Sequence, residues 1–140
     1  MKTEPVSQTI GALAREAGVG VTTVRFYERA GLLAKPARSA ANYRLYPADA
    51  AARIRFIRRA QQLGFTLPEI SELVNLRVSA RATCADVRAR AAAKITDIEA
   101  RIRSLRRMSR ALSEFARQCE RPHPVGVGAC PLLEHLRDEI

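Results

Sequence analysis

The sequence predicts a mainly α-helical protein in which two short helices and a small β-wing precede two further helices, one long helix and a short last one. Three observations predict it. Apolar residues recur at helical spacing in short segments closed by Gly18, Gly31 and Gly64. Strand-like alternation is confined to Tyr43, Arg44, Leu45 and Tyr46, and the stretch from Thr83 to Cys119 has neither proline nor glycine.

From Thr9 to Ala17, the residues Ile10, Leu13, Ala14 and Ala17 share one helical face, and Gly18 suits the left-handed position that ends a helix. Gly20 leads into a second helix over Val21 to Ala30, where Val24, Tyr27 and Ala30 recur at three-residue steps. Between Leu32 and Tyr46 a proline, the Ser39 to Asn42 turn and the short alternation read as a wing. Pro47 suits the first position of a helix to about Leu63. Thr66, Pro68 and Glu69 repeat the start signal, with a hydroxyl cap, an early proline and an acid at the third position, for a helix to about Leu76.

The 36 residues from Cys84 to Cys119 would form a rod of roughly 54 Å. Steps of seven from Cys84 meet Ala91, Ile98, Leu105, Leu112 and Cys119, an apolar seam whose companions are Arg88, Ile95, Ile102, Ser109 and Ala116. A sustained heptad stripe marks a two-helix coiled coil, so a homodimer is expected. After Cys119, two prolines and two glycines predict a loop, and Cys130 and Pro131 open a last helical stretch to Leu136. The expected domains are 1–80 (helix-turn-helix about 9–31, wing about 32–46, two helices about 47–76), a dimerisation helix 81–119, and a loop with a short helix over 120–140.

Composition narrows the function. The 140 residues are 47% hydrophobic and 27% charged, enough for a core, and no run approaches the ~20 apolar residues of a membrane span. Met1 to Gln8 lacks an apolar signal region, and three cysteines are an odd number, so a reducing cytoplasm is expected. The net charge of +10 is concentrated: Arg25 to Arg59 holds nine basic residues against Glu28 and Asp49, an excess of +7. Nucleic acid is the partner such a segment suits. No nucleophile with a nearby base, paired carboxylates or glycine-rich phosphate loop suggests an enzyme.

Two short helices around a glycine turn form a helix-turn-helix. Its second helix presents Thr22, Thr23 and Arg25 near its start, where hydroxyl and guanidinium groups reach base edges or phosphates of double-stranded DNA. Tyr43, Arg44 and Tyr46 on the wing are expected against the backbone beside it, and Tyr27 joins these candidates. The competing reading makes Phe26, Tyr27 and Tyr46 core aromatics, and for Phe26 that reading is preferred.

These residues resemble a family. TIGALAREAGVGVTTVRFYERAGLL at Thr9 to Leu33, with NYRLY at Asn42 to Tyr46, is similar to the winged helix-turn-helix of the MerR transcription regulators, VRFYERAGLL being the most specific part. The resemblance continues through RAQQLGFTLPEISELVNL at Arg59 to Leu76 and the long helix. It implies a homodimer joined by an antiparallel coiled coil. It further implies binding to a promoter whose spacer is too long for RNA polymerase, repression without ligand, and activation when the liganded form untwists the DNA.

Cys84 and Cys119 lie ~50 Å apart on one helix, so a single chain cannot close them on one ion. An antiparallel register that sets Cys84 opposite the partner's Cys119 also sets Ile98 opposite the partner's Leu105 and Ala91 opposite the partner's Leu112. Two sites follow, each with Cys84 from one subunit and Cys119 and Cys130 from the other. Three thiolates suit Hg(II), Pb(II) or Cd(II), whereas structural zinc usually takes four ligands. Arg117 and Arg121 are expected to favour the Cys119 thiolate. The resemblance places all three cysteines at the positions of the family's divalent-metal sensors, and Cys130 to Leu133 and GFTLPEISELVNL look closest to the mercury regulators. The ten residues between Cys119 and Cys130 make a longer loop than that group suggests. The alternatives are a lead or cadmium sensor, a thiol redox sensor across Cys119 and Cys130, or inert cysteines. His123 is a possible fourth ligand, and His135 is expected on the surface of the last helix.

Overall fold

The computed structural model describes residues 7–119 and 130–137. The elements follow in the order β1 (Gln8–Thr9), α1 (Ile10–Ala17), α2 (Val21–Arg29), β2 (Ala37–Arg38), β3 (Arg44–Tyr46), α3 (Ala50–Gln62), α4 (Leu67–Val78), α5 (Cys84–Gln118) and α6 (Pro131–Arg137). The protein is mainly α-helical, a winged helix-turn-helix followed by one long helix. The chain divides into two compact units at Lys94 and Ile95, so the first turns of α5 belong to the N-terminal unit.

Local chemistry explains the helix ends. The Thr9 hydroxyl accepts the Ala12 N–H, and α1 closes at Gly18 with φ 70°, where the Val19 N–H returns to the Ala14 carbonyl at 3.0 Å. A side chain at Gly18 would strain this left-handed turn, which sets the angle between α1 and α2. A reciprocal capping box starts α4: Thr66 Oγ1 accepts from the Glu69 N–H, and Glu69 Oε1 accepts from the Thr66 N–H at 2.8 Å. α3 begins three residues later than Pro47 suggested. Pro47 instead opens a turn in which its carbonyl accepts the Ala50 N–H at 3.0 Å.

The wing is a three-stranded antiparallel sheet in the order β1-β3-β2. β1, unforeseen in the sequence, pairs Gln8 with Tyr46 and Thr9 with Leu45, while β2 pairs Ala37 with Leu45 and Arg38 with Arg44. Two-residue strands give too little alternation to register as a pattern. Asn42, at φ 65°, turns the hairpin, and Tyr43 sits exposed beside it.

Leu13, Ala14 and Ala17 of α1, Val24 and Tyr27 of α2, Ile54 and Ile57 of α3, and Ile70 and Val74 of α4 form one buried cluster with Leu32 and Tyr46. Complete burial of a Leu or Ile contributes about 1.5–3 kcal/mol, so these few residues fix the helices that carry the surface chemistry. Among the described residues the one buried charged side chain is Lys94, whose Nζ donates to Glu69 Oε1 at 2.8 Å and lies 5.6 Å from the centre of the Phe65 ring. No helix of the described residues is long and apolar enough to cross a membrane.

Candidate nucleic-acid interface and metal centre

The second helix and the wing meet around an open depression of about 490 Å³ lined by Thr22, Arg25, Glu28, Arg29 and Arg44. Three guanidinium groups and a hydroxyl converge there, the donor set that phosphate and base edges take. Glu28 organises the depression from its floor. Its Oε2 accepts the Tyr46 hydroxyl at 2.7 Å, and its Oε1 lies 3.7 Å from Arg44 Nε. That Nε is buried without a hydrogen-bond partner among the described residues. Burial, then the Glu28 bond, push the Tyr46 hydroxyl up to about 12, so it remains a donor. Sequence reasoning missed Glu28, although it is one of only two acids in the +7 segment.

Thr22, Arg25 and Tyr43 are exposed, and Thr23 and Arg44 partly so. Tyr27 and Tyr46 are corrected: they are 4% and 0% exposed, and Tyr27 donates its hydroxyl to Gln61 Oε1 at 2.8 Å. Neither offers surface to a phosphate, and each acts by holding the helix or wing in place. Phe26, the aromatic assigned to the core, is 46% exposed. Helical phase explains the exchange, since Val24 and Tyr27 are three apart on the buried face and Phe26 falls off it.

In the C-terminal unit Cys119 and Cys130 come together, with their sulfurs 4.0 Å apart. That is well beyond a disulfide bond of about 2.05 Å. It is within the ~4.6 Å that two sulfurs can span when each lies about 2.3 Å from one ion. The ring of His135, on the exposed side of α6, packs 5.3 Å from that of Phe115, joining α6 to α5. Burial, then the hydrogen bond and charge of Cys130, hold the Cys119 thiol above its ordinary range, and a bond from the Leu132 N–H opposes them without prevailing. The expected lowering by Arg117 is therefore absent, because that guanidinium is bonded to Glu114 at 2.6 Å. Arg121 and His123 lie outside the described residues.

Cys84 is exposed at the start of α5. Among the described residues no three His, Cys, Asp or Glu side chains of one chain gather to hold a metal ion. The α5 seam is open as well: Ile98, Leu105 and Leu112 are 38%, 63% and 56% exposed. Within the N-terminal unit Phe56, Phe65, Leu73, Leu76 and Val87 line an apolar groove of about 530 Å³ that Cys84 borders.

A basic depression on a winged helix-turn-helix defines a class, the sequence-reading DNA-binding proteins. The model for the MerR HTH family regulatory proteins matches residues 8–76, and that described as MerR, DNA binding matches residues 51–115. The mercuric resistance operon regulatory protein of Bacillus cereus is 39% identical over 127 residues, 91% of this chain and 95% of that one. Two solved structures are similar along nearly the whole chain. The lead(II) complex of PbrR691 from Ralstonia metallidurans has a TM-score of 0.80 at 38% identity, covering 92% of this chain and 98% of the other. The mercury(II) complex of MerR from Bacillus megaterium has 0.67 at 35%, covering 93% and 99%. The chain belongs to the MerR family of DNA-binding transcription regulators.

Proposed function

We propose that the chain works as a homodimer that represses a promoter without metal and activates it, together with RNA polymerase, when a soft divalent ion binds. Hg(II) is the inducer favoured, with Pb(II) or Cd(II) second. The carrying observation is the Cys119–Cys130 pair, 4.0 Å between sulfurs, with no third metal-binding side chain gathered by the same chain among the described residues. Cys84 of the partner subunit completes the site in this reading, and the exposed α5 seam supplies the antiparallel contact. The similarity to a mercuric resistance regulator and to mercury- and lead-bound structures supports the same ions.

The chain's own part follows from its chemistry. Cys119, with its thiol held above the ordinary range, keeps its proton until a thiophilic ion displaces it, so loading releases protons. Cys119 and Cys130 of one subunit with Cys84 of the other would hold the ion, which would supply a strong soft Lewis acid there. Thr22, Thr23, Arg25, Tyr43 and Arg44 contact the promoter, with Glu28 and Tyr46 positioning Arg44. A reducing cytoplasm keeps the thiols available.

The test is transcription from the cognate promoter with the reduced full-length protein over a series of Hg(II), Pb(II), Cd(II), Zn(II) and Cu(I), beside ion stoichiometry. Two ions per dimer and activation at the lowest concentration by Hg(II) are expected. Activation by zinc or copper without mercury would overturn the ion, and activation by oxidant alone would favour a redox sensor.

A further inference from the structure

Cys119 and Cys130 are partly buried, unbridged and in contact, their sulfurs 4.0 Å apart. Both belong to one chain, and α6, which opens at Pro131 straight after Cys130, rests on α5 through the His135 and Phe115 rings. Among the described residues no third cysteine, histidine or carboxylate of the same chain gathers beside them to hold an ion. Cys84 is exposed at the first residue of α5, 35 residues earlier in the chain. Two thiols in contact can be bridged by an ion or joined to each other by oxidation. A disulfide holds its sulfurs about 2.05 Å apart, so the gap to close is roughly 2 Å, a distance that turning the two side chains about their Cα–Cβ bonds covers.

We infer that this pair is a redox switch that silences the metal response, and the switch rests on that response as proposed above. A hydroperoxide joins Cys119 to Cys130 within each chain, and the oxidised protein stays on its promoter as a repressor that no longer answers to the ion. One sulfur, as its thiolate, attacks the O–O bond of hydrogen peroxide and gives a sulfenic acid and hydroxide. The second thiolate attacks that sulfur, forms the S–S bond and expels the sulfenic oxygen as hydroxide. The two protons given up by the thiols turn both hydroxides into water. Two thiols and one peroxide thus yield one disulfide and two waters, the thiols losing two electrons and the peroxide gaining them. Contact decides the product, because a resolving thiol at 4.0 Å captures the sulfenic acid before a second peroxide oxidises it further. Ligand count decides the sign. Thiolates bind the ion and a disulfide has none, so each site keeps only Cys84 of the partner subunit. The recognition helix and the wing lie in the N-terminal unit, which contains neither Cys119 nor Cys130, and repression persists. Cellular thiols reopen the bridge by exchange.

The experiment compares the reduced full-length protein with the same protein treated with hydrogen peroxide and then freed of it. It reads mass, mobility on a denaturing gel without reductant, promoter affinity, and transcription over an Hg(II) series. The treated chain is expected to be lighter by two hydrogens, to run as a single chain and to bind the promoter as tightly as before. Activation should be lost at every Hg(II) concentration that activates the reduced protein, and should return once dithiothreitol has been added and removed. Cys84→Ser should form the same bridge, whereas Cys119→Ser and Cys130→Ser should not. Absence of the intrachain bridge, or a covalent dimer through Cys84 in its place, would overturn the inference. So would a bridged protein that still activates with Hg(II), one that leaves the promoter, or one that activates without any ion. Protein loaded with Hg(II) beforehand should resist bridging, since its thiolates are occupied. Equal bridging with and without the ion would take the pair out of the metal site, and a reduced protein that no ion activates would sink the metal response itself and the switch with it.

Discussion

Glu28 and Glu69 show how single carboxylates organise a basic chain. Glu28 takes the Tyr46 hydroxyl and stands beside Arg44, orienting the wing without covering its charge. Glu69 accepts from Lys94 and from the Thr66 N–H. The Lys94 bond first, then the Thr66 bonds, lower its carboxyl from 4.5 to about 2. A folded-state value below the unfolded one gives stability that is complete above the unfolded value and lost as pH falls through the folded one. Glu69→Gln should therefore lower the melting temperature at neutral pH, and the gap to the unaltered protein should close between about pH 5 and pH 2. A gap constant across that window, measured by circular dichroism, would show that the carboxylate charge is not what holds α4 to α5. The capping role of Glu69 was legible, because Thr66 and Glu69 have the spacing of the motif. Its bond to Lys94 was not, since it joins residues 25 apart in the chain and no local pattern encodes that.

The helices vary in how much of them a pattern can reveal. α1 and α2 carry apolar periodicity and a glycine stop, α4 carries the capping box, and each lies within two residues of its expected span. β1 has two residues and no periodicity, and is defined only by its pairing with β3. Pro47 illustrates a local rule losing to a tertiary one: a proline tolerated at a helix start serves here in the turn that swings the chain from sheet to helix. In α5 the seam was legible and its depth was not, because an isolated chain leaves Leu105 and Leu112 in water. Burying such side chains is worth about 1.5–3 kcal/mol each, which a partner helix would supply in the proposed homodimer. Leu105→Arg should thus convert the proposed dimer to monomer, read by sedimentation velocity at micromolar concentration, and weaken promoter binding with it. A variant that stays dimeric would place the interface elsewhere than the seam.

For the whole molecule, sharing of the cysteines is the central expectation. Cys84→Ser subunits mixed with Cys119→Ser subunits should form heterodimers having one complete site and one lacking both sulfurs. One tightly held ion per heterodimer and none per parent homodimer would be the signature. No tightly held ion in the heterodimer or in either parent would mean that each subunit carries its own site. The three cysteines were candidates from the sequence, but the 4.0 Å approach of Cys119 to Cys130 was not legible there, since like the contact of His135 with Phe115 it joins residues that no local pattern relates.

Lys94 has a consequence for handling the protein. The chain has 24 basic residues but only three lysines, Lys2, Lys35 and Lys94. Lys35 is exposed between α2 and the wing, while Lys94 is sealed under Glu69 and Phe65. A lysine-specific endoprotease thus meets a bond guarded by Pro36 at Lys35 and one closed by packing at Lys94. The appearance of a cut after Lys94 becomes a clock for the separation of α5 from α4, in a chain whose many arginines make trypsin useless for the purpose.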